Sequence, residues 1–232
     1  MSREFWLRVC MTAAIAPLLL VTTGHTYGAP AKAVDARAVG AKAVDTMEQD
    51  IDTAVQGVDA FWTRHWPEYF TGTYASPDVL GLYDGTSADV PTCGGEQLEA
   101  GNAAYCRPED YLAWDVGLMR EGYSTGDAYV YFIVAHEWGH AIQNRLNSQL
   151  QEVAGELQAD CIAGAELQGA QNDETIVFEE GDAKELIEAI HSVSDELPWT
   201  AEGDHGNADQ RSNAFIRGLE GGVDACLPLT AQ

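Results

Sequence analysis

The decapeptide VAHEWGHAIQ, Val134–Gln143, places two histidines four positions apart, with a glutamate directly after the first. Residues four apart on an α-helix project to the same side, so His136 and His140 can offer ring nitrogens to one ion. Glu137 lies beside them and can hold a water molecule at that ion. The H-E-x-x-H pattern therefore predicts a zinc centre for hydrolysis, with one Zn²⁺ per chain as the cofactor.

The residues around this decapeptide predict that it is helical. The segment DAYVYFIVAHEWGHAIQNRL, residues 127–146, is a sustained apolar stretch, and Asp127 at its start is expected to be the N-cap. Three further helical patterns follow, at residues 150–169, 180–197 and about 208–219. Before them, residues 71–126 carry many turn residues between short apolar runs, which indicate strands. The pattern predicts an α+β fold that is mainly helical, with a short irregular or β portion before the helix of the decapeptide.

A catalytic zinc needs a third protein ligand and an open fourth position. The next helical segment contains GELQAD, in which Glu156 and Asp160 are four positions apart and share a face. We expect Glu156 to be the third ligand and Asp160 to accept the free ring N–H of a zinc-bound histidine, His136 in the first place. Small residues around the two acids should allow the two helices to approach closely: Ala154, Gly155, Ala159, Ala163 and Gly164.

Two other acids in this segment, Glu152 and Glu166, are rivals for the place of third ligand, and we expect both to face solvent. Histidines elsewhere have simpler roles. His65 lies among tryptophans and is expected to be a packed or capping residue, and His191 is expected at a core or rim position.

The start of the chain predicts export. A basic beginning is followed by the apolar run Val9–Val21 and by a stretch of small residues, 28–33, which is the order of a secretory signal peptide. We place the signal peptide at residues 1–31, with an uncleaved signal anchor as the alternative. The expected location is therefore secreted or extracytoplasmic.

The chain is strongly acidic, with 12 lysines and arginines against 37 aspartates and glutamates and a net charge of -25. Such a surface repels the phosphate groups of nucleic acids and anionic lipids. We therefore expect no nucleic-acid partner, and no membrane partner beyond an uncleaved signal anchor.

Four cysteines remain after the signal peptide, and an even number in an exported chain indicates two disulfides. Proximity favours Cys93 with Cys106, which leaves Cys161 with Cys226, although the sequence alone allows three pairings. Cys161 follows Asp160 directly and is rotated about 100° around the helix from the ligand face. This rotation favours a disulfide at Cys161 over a metal-ligand role.

Three stretches together resemble the putative neutral zinc metallopeptidase family of bacteria: AYVYFIVAHEWGHAIQ, ELQADCIAG and HGNADQRSNAFIRGLEGGVDAC. The resemblance runs from about Cys93 to Cys226, and the ligand arrangement is similar to that of the gluzincins, the thermolysin-like class. The chain departs from the family pattern at Ala141 and Trp138, and neither residue is a proposed ligand. The resemblance implies a zincin-like fold. From the length and the sequence pattern we expect a single domain, with the metallopeptidase part at residues 71–232 after an N-terminal helical segment or linker at 32–70.

The resemblance implies a zinc metallopeptidase whose substrate is a peptide or protein. In this interpretation a water molecule held by zinc and Glu137 attacks a peptide carbonyl, and Glu137 passes the proton to the leaving amine. His205 is the candidate for a second donor to the oxyanion, because it lies in an element that resembles the HG…QR stretch of the family. Arg211, Tyr123 and Tyr129 are the further candidates.

Two other functions fit the same residues. One is an exported interaction protein that contains zinc but performs no catalysis. The other is a metal amidohydrolase that acts on cell-wall amides. The retention of Glu137 and a set of three ligands favour the peptidase over a structural zinc site, which is usually closed by four ligands.

Overall fold

The computed structural model describes residues 46–201 and 203–228. The predicted signal peptide at residues 1–31 and residues 32–45 of the N-terminal segment lie outside the described residues. The described helices are α1 (Met47–Tyr69), α2 (Val116–Tyr123), α3 (Ala128–Arg145), α4 (Gly155–Asn172), α5 (Asp182–Ser192) and α6 (Ala208–Gly221), followed by the 3₁₀ turn Val223–Cys226. The strands are β1 (Asp78–Tyr83), β2 (Thr92–Cys93), β3 (Glu96–Gln97), β4 (Ala103–Cys106) and β5 (Tyr111–Asp115). The predicted α+β class is confirmed.

Helix α1 begins with a capping box and continues past a proline. The Thr46 side chain accepts from the Gln49 N–H at 3.3 Å, and the Gln49 side chain accepts from the Thr46 N–H at 2.8 Å. The sequence predicts a stop at Pro67, and the helix ends two residues later at Tyr69. Its buried apolar face, which includes Trp62, belongs to the same core as α3 and α4.

The larger sheet has the strand order β1-β5-β4, with β5 parallel to β1 and antiparallel to β4. All residues of the central strand β5 are buried. Strand β4 is therefore an edge strand of this sheet. Strands β2 and β3 form a separate two-stranded hairpin.

Helix α3 lies at the centre of the core and approaches α4 closely. A Cβ atom added at Gly139 would lie 2.8 Å from the carbonyl oxygen of Ala159, so only glycine allows this approach. Ala159 is one of the small residues that were expected to allow the two helices to approach closely, and its backbone lies against Gly139. Gly164 has another role, because it faces the Phe215 carbonyl of α6 rather than α3.

Asp127 occupies the predicted N-cap position of α3 but makes no side-chain cap. Its backbone is already helical. The Ala128 N–H is instead directed at the carboxylate of Glu185 from α5, at 3.4 Å. A tertiary contact that the local sequence does not encode therefore replaces the cap.

Both expected disulfides are present, Cys93–Cys106 and Cys161–Cys226. The first joins the β2–β3 hairpin to the end of β4, and the second joins α4 to the end of the 3₁₀ turn. Within the described part of the chain, no helix is long and apolar enough to cross a membrane.

The Cys161–Cys226 bridge spans 65 residues and should contribute more stability than Cys93–Cys106, which spans 13. In the chain-entropy description, replacing both cysteines of a bridge by serine lowers the free energy of unfolding by about 4 kcal/mol for the longer loop and about 3 kcal/mol for the shorter. Urea unfolding of the two double variants measures the difference. Equal or reversed losses would contradict the prediction.

Candidate metal centre

The three predicted ligands meet between α3 and α4. His136 Nε2 lies 3.2 Å from Glu156 Oε2, and His140 Nε2 lies 3.4 Å from Glu156 Oε1. Each of the three residues has a donor atom within 4.8 Å of the donor atoms of the other two. Two imidazole nitrogens and one carboxylate oxygen form the donor set of catalytic zinc sites. The structure therefore brings together the residues that the sequence predicts.

The hydrogen bonds behind the histidines leave the Nε2 atoms available for a metal. His136 Nδ1 lies 2.8 Å from Asp160 Oδ1, and His140 Nδ1 lies 2.9 Å from Gln143 Oε1. The Gln143 amide nitrogen donates to the Gly155 carbonyl at 2.6 Å, which fixes the side-chain oxygen toward His140. Both partners offer an acceptor to Nδ1, so with each hydrogen on Nδ1 each Nε2 would present a lone pair to a metal. The residues present fit a zinc ion.

Asp160 has a second partner, Arg211, and the sequence does not indicate this contact. Arg211 of α6 donates to both oxygens of Asp160, from Nε and from Nη2, at 2.8 Å each. Its third nitrogen donates to the Val193 carbonyl at 2.7 Å, and the Arg211 side chain is only 2% exposed. Although burial opposes ionisation, hydrogen bonds from Arg211 and His136 lower the pKa of Asp160 below its usual value. Arg211 lines the larger cavity beside the ligands, but its guanidinium forms a structural ion pair with Asp160.

Glu137 points away from α4, toward the sheet. It follows His136 by one residue, which turns its side chain about 100° around α3. Its Oε2 accepts a hydrogen bond from the main-chain N–H of Tyr105 in β4, at 2.8 Å. The carboxylate is buried and is oriented by backbone rather than by another side chain. Nothing in the sequence around Tyr105 indicates this contact.

A cavity of about 360 Å³ opens beside the ligands. Its walls include all three predicted ligands, Glu137 and residues 103–105 of β4. Apolar side chains complete it: Leu118, Phe132, Ile133 and Val193. A second cavity, of about 260 Å³, shares His140 and Glu156 with the first. The ligands therefore lie where two cavities adjoin.

The candidates for an oxyanion donor differ in position. His205 lies on the wall of the larger cavity, with its side chain 53% exposed and its Nδ1 3.5 Å from Asp195 Oδ1. The Tyr123 hydroxyl donates to Asp50 at 2.7 Å, and Tyr129 is buried in the core. Neither tyrosine is among the described residues that line this cavity. His205 remains the candidate whose location suits the role.

Neither rival acid belongs to the group of donor atoms formed by His136, His140 and Glu156. Glu152 is half-buried and lies 3.5 Å from Arg217. The prediction that Glu166 faces solvent is wrong, because it is fully buried in α4 and accepts a hydrogen bond from the indole N–H of Trp62 at 2.5 Å. Burial raises the pKa of Glu166 well above its usual value, which suits a protonated core residue.

The other two histidines that the structure describes also lie away from the centre. His65 contacts Glu68 and Asp173 at 3.0 and 2.8 Å and packs against the ring of Phe61. His191 Nε2 lies 3.2 Å from the hydroxyl of Ser212 at an exposed position.

Comparison with known proteins identifies the family. A family model described as "Putative neutral zinc metallopeptidase" matches residues 7–227, a longer span than the resemblance from Cys93 to Cys226. No curated protein and no solved structure matches the chain, so the zincin-like fold stays a prediction. The family match covers the ligands, Glu137 and all the described helices. The chain belongs to the putative neutral zinc metallopeptidase family.

Proposed function

We propose that the protein is a zinc-dependent peptidase that hydrolyses peptide bonds at the centre formed by His136, His140 and Glu156. One observation carries the proposal: Glu137 and the three ligands line the same cavity, and residues 103–105 of an edge strand line it with them. A metal-binding protein without catalysis needs the ligands but has no use for a carboxylate oriented toward the cavity.

The ligands and Glu137 divide the chemistry between them. The two Nε2 atoms and the Glu156 carboxylate would hold zinc, which supplies a Lewis acid that polarises the substrate carbonyl and makes water a better nucleophile. Glu137 Oε2 is held by the Tyr105 N–H, so Oε1 is the oxygen that accepts the proton of the attacking water. Glu137 then returns that proton to the leaving amine. His205, on the cavity wall, is the candidate donor to the developing oxyanion.

The edge strand supports a peptide as the substrate. The Asn102 carbonyl accepts from the Asp115 N–H of β5, at 2.8 Å. Main-chain groups alternate in direction along a strand, so those of Ala103 and Tyr105 point away from β5 and toward the cavity. An extended peptide can pair with such an edge through main-chain hydrogen bonds. A small amide substrate makes no use of this edge.

We also infer that the protein acts outside the cytoplasm. The two disulfides support this location, because such bonds persist in oxidising compartments. The order of residues at the start of the chain supports export.

Replacing Glu137 by glutamine should abolish hydrolysis and leave about one zinc per chain, because the amide cannot accept the proton of water while the ligands are intact. Zinc analysis and cleavage of a mixed peptide library, applied to the wild type and the variant, measure both effects. A zinc-loaded wild type that cleaves no peptide would reject the peptidase and favour the interaction protein or the cell-wall amidohydrolase.

Replacing Glu156 by alanine should release the metal, since two imidazoles alone hold zinc weakly. Glu152→Ala removes the rival acid from the same region and serves as the matched control, which should retain zinc. Zinc content after dialysis distinguishes the two variants. Zinc retained by Glu156→Ala and lost by Glu152→Ala would overturn the ligand assignment.

Asp160→Asn should weaken zinc binding by about 10- to 100-fold, because the residue orients His136 and carries the charge that Arg211 faces. Competition with a chelator of known affinity measures the loss. The exposed Asp209→Asn in α6 makes the same change of charge without a contact to the centre and should bind zinc as the wild type does. Unchanged affinity in Asp160→Asn would show that the contact has no role at the metal.

A further inference from the structure

Tyr105 contacts the catalytic helix α3 at two separate points. Its main-chain N–H donates to Glu137 Oε2 at 2.8 Å, and its phenol oxygen accepts from Asn144 Nδ2 at 2.7 Å. Glu137 and Asn144 are seven residues apart, which is two helical turns, about 10 Å along one face of α3. One strand residue therefore spans the distance from the general base to the last turn of the helix.

The phenol of Tyr105 is itself held by a second group of contacts. Its O–H donates to Asp110 Oδ1 at 2.7 Å, and both oxygens of Asp110 accept from Arg145 Nη2 at 3.0 and 2.9 Å. The same guanidinium donates to the carbonyls of Ala75 and Ala141, at 2.7 Å each. The donor and the acceptor capacity of the phenol are thus both used. The partners lie in the last two residues of α3 and in the turn between β4 and β5.

Asp110 adds a constraint to this arrangement. Its φ of 54° lies in the left-handed region, which an aspartate adopts more readily than most residues. Its main-chain carbonyl accepts from the Asp78 N–H at 2.9 Å, so the turn is also tied to β1. The carboxylate that holds the phenol is therefore fixed at its backbone.

We propose that Tyr105 is a positioning residue for catalysis, because its phenol, fixed by Asn144, Asp110 and Arg145, sets the edge strand β4 against α3. In this position the Tyr105 N–H orients the Glu137 carboxylate, and the free edge of β4 faces the ligands. The inference rests on the proposed function, since it assigns the position of the base and of the peptide-binding strand. Tyr105 acts through Glu137 and β4 and takes no part in proton transfer.

Kinetics of zinc-loaded full-length variants test the inference. Tyr105→Phe removes the phenol and keeps the main-chain N–H, so kcat should fall about tenfold or more while bound zinc stays the same. Asn144→Ala removes one partner of the phenol from α3 and should lower kcat in the same direction. Tyr111→Phe is the matched control, because Tyr111 lies on the neighbouring strand β5 and its hydroxyl donates to the Thr92 carbonyl of β2 rather than to a residue of α3. Its kcat should equal that of the wild type.

Hydrogen exchange of the β4 amides tests the inference without an activity assay. In Tyr105→Phe the amides of Ala103–Cys106 should exchange severalfold faster than in the wild type, because the strand is no longer fixed to α3. Tyr111→Phe should leave this exchange unchanged. A phenol that only stabilises the fold would lower the melting temperature without changing kcat of the folded enzyme, and that result would overturn the inference.

The two proposals fail in different ways. If the wild type cleaves no peptide, the proposed function is lost, and exchange alone then decides whether Tyr105 fixes β4. If the wild type is active and Tyr105→Phe matches it in kcat and in exchange, the positioning role is wrong and the peptidase assignment stands.

Discussion

The close approach of α3 and α4 at Gly139 is the constraint on which the centre depends. No side chain separates the two helices there, and the backbone of Ala159 occupies the space that a Cβ would fill. His136, three residues before Gly139, and His140, directly after it, face Glu156 and Asp160 of α4. A larger residue at position 139 would move the helices apart and separate the three ligands.

The buried ion pair between Asp160 and Arg211 supports this contact from α6. Asp160 and Arg211 are both removed from solvent, and an unpaired charge at either position would be costly. Because Arg211 lies in α6, the pair joins the C-terminal helix to the residue that orients His136. The Cys161–Cys226 disulfide ties the end of the chain to the next residue of α4. The C-terminal segment therefore belongs to the support of the metal centre, although it contributes no ligand.

The sequence predicts the ligand set because helical periodicity places residues four apart on one face, and this rule needs no tertiary information. The same rule places Glu156 with Asp160 and removes Cys161 from their face. The rule does not predict contacts between elements that are far apart in the sequence. The main-chain N–H of Tyr105 donates to Glu137. A main-chain donor does not depend on the type of residue, so the sequence does not indicate this contact. Glu166 was expected to face solvent, yet it accepts a hydrogen bond from Trp62, which lies 104 residues earlier in the chain. Asp127 is the N-cap residue but makes no capping hydrogen bond, since the Ala128 N–H is directed at Glu185 of another helix.

The central claim is that two histidines and Glu156 hold one zinc ion at the junction of α3 and α4. Anomalous diffraction at the zinc absorption edge, from crystals of the zinc-loaded chain, tests it most directly. The account predicts one peak, about 2.0–2.2 Å from His136 Nε2, His140 Nε2 and a Glu156 oxygen. A peak elsewhere in the molecule, or a zinc ion that lacks Glu156 as a ligand, would contradict it.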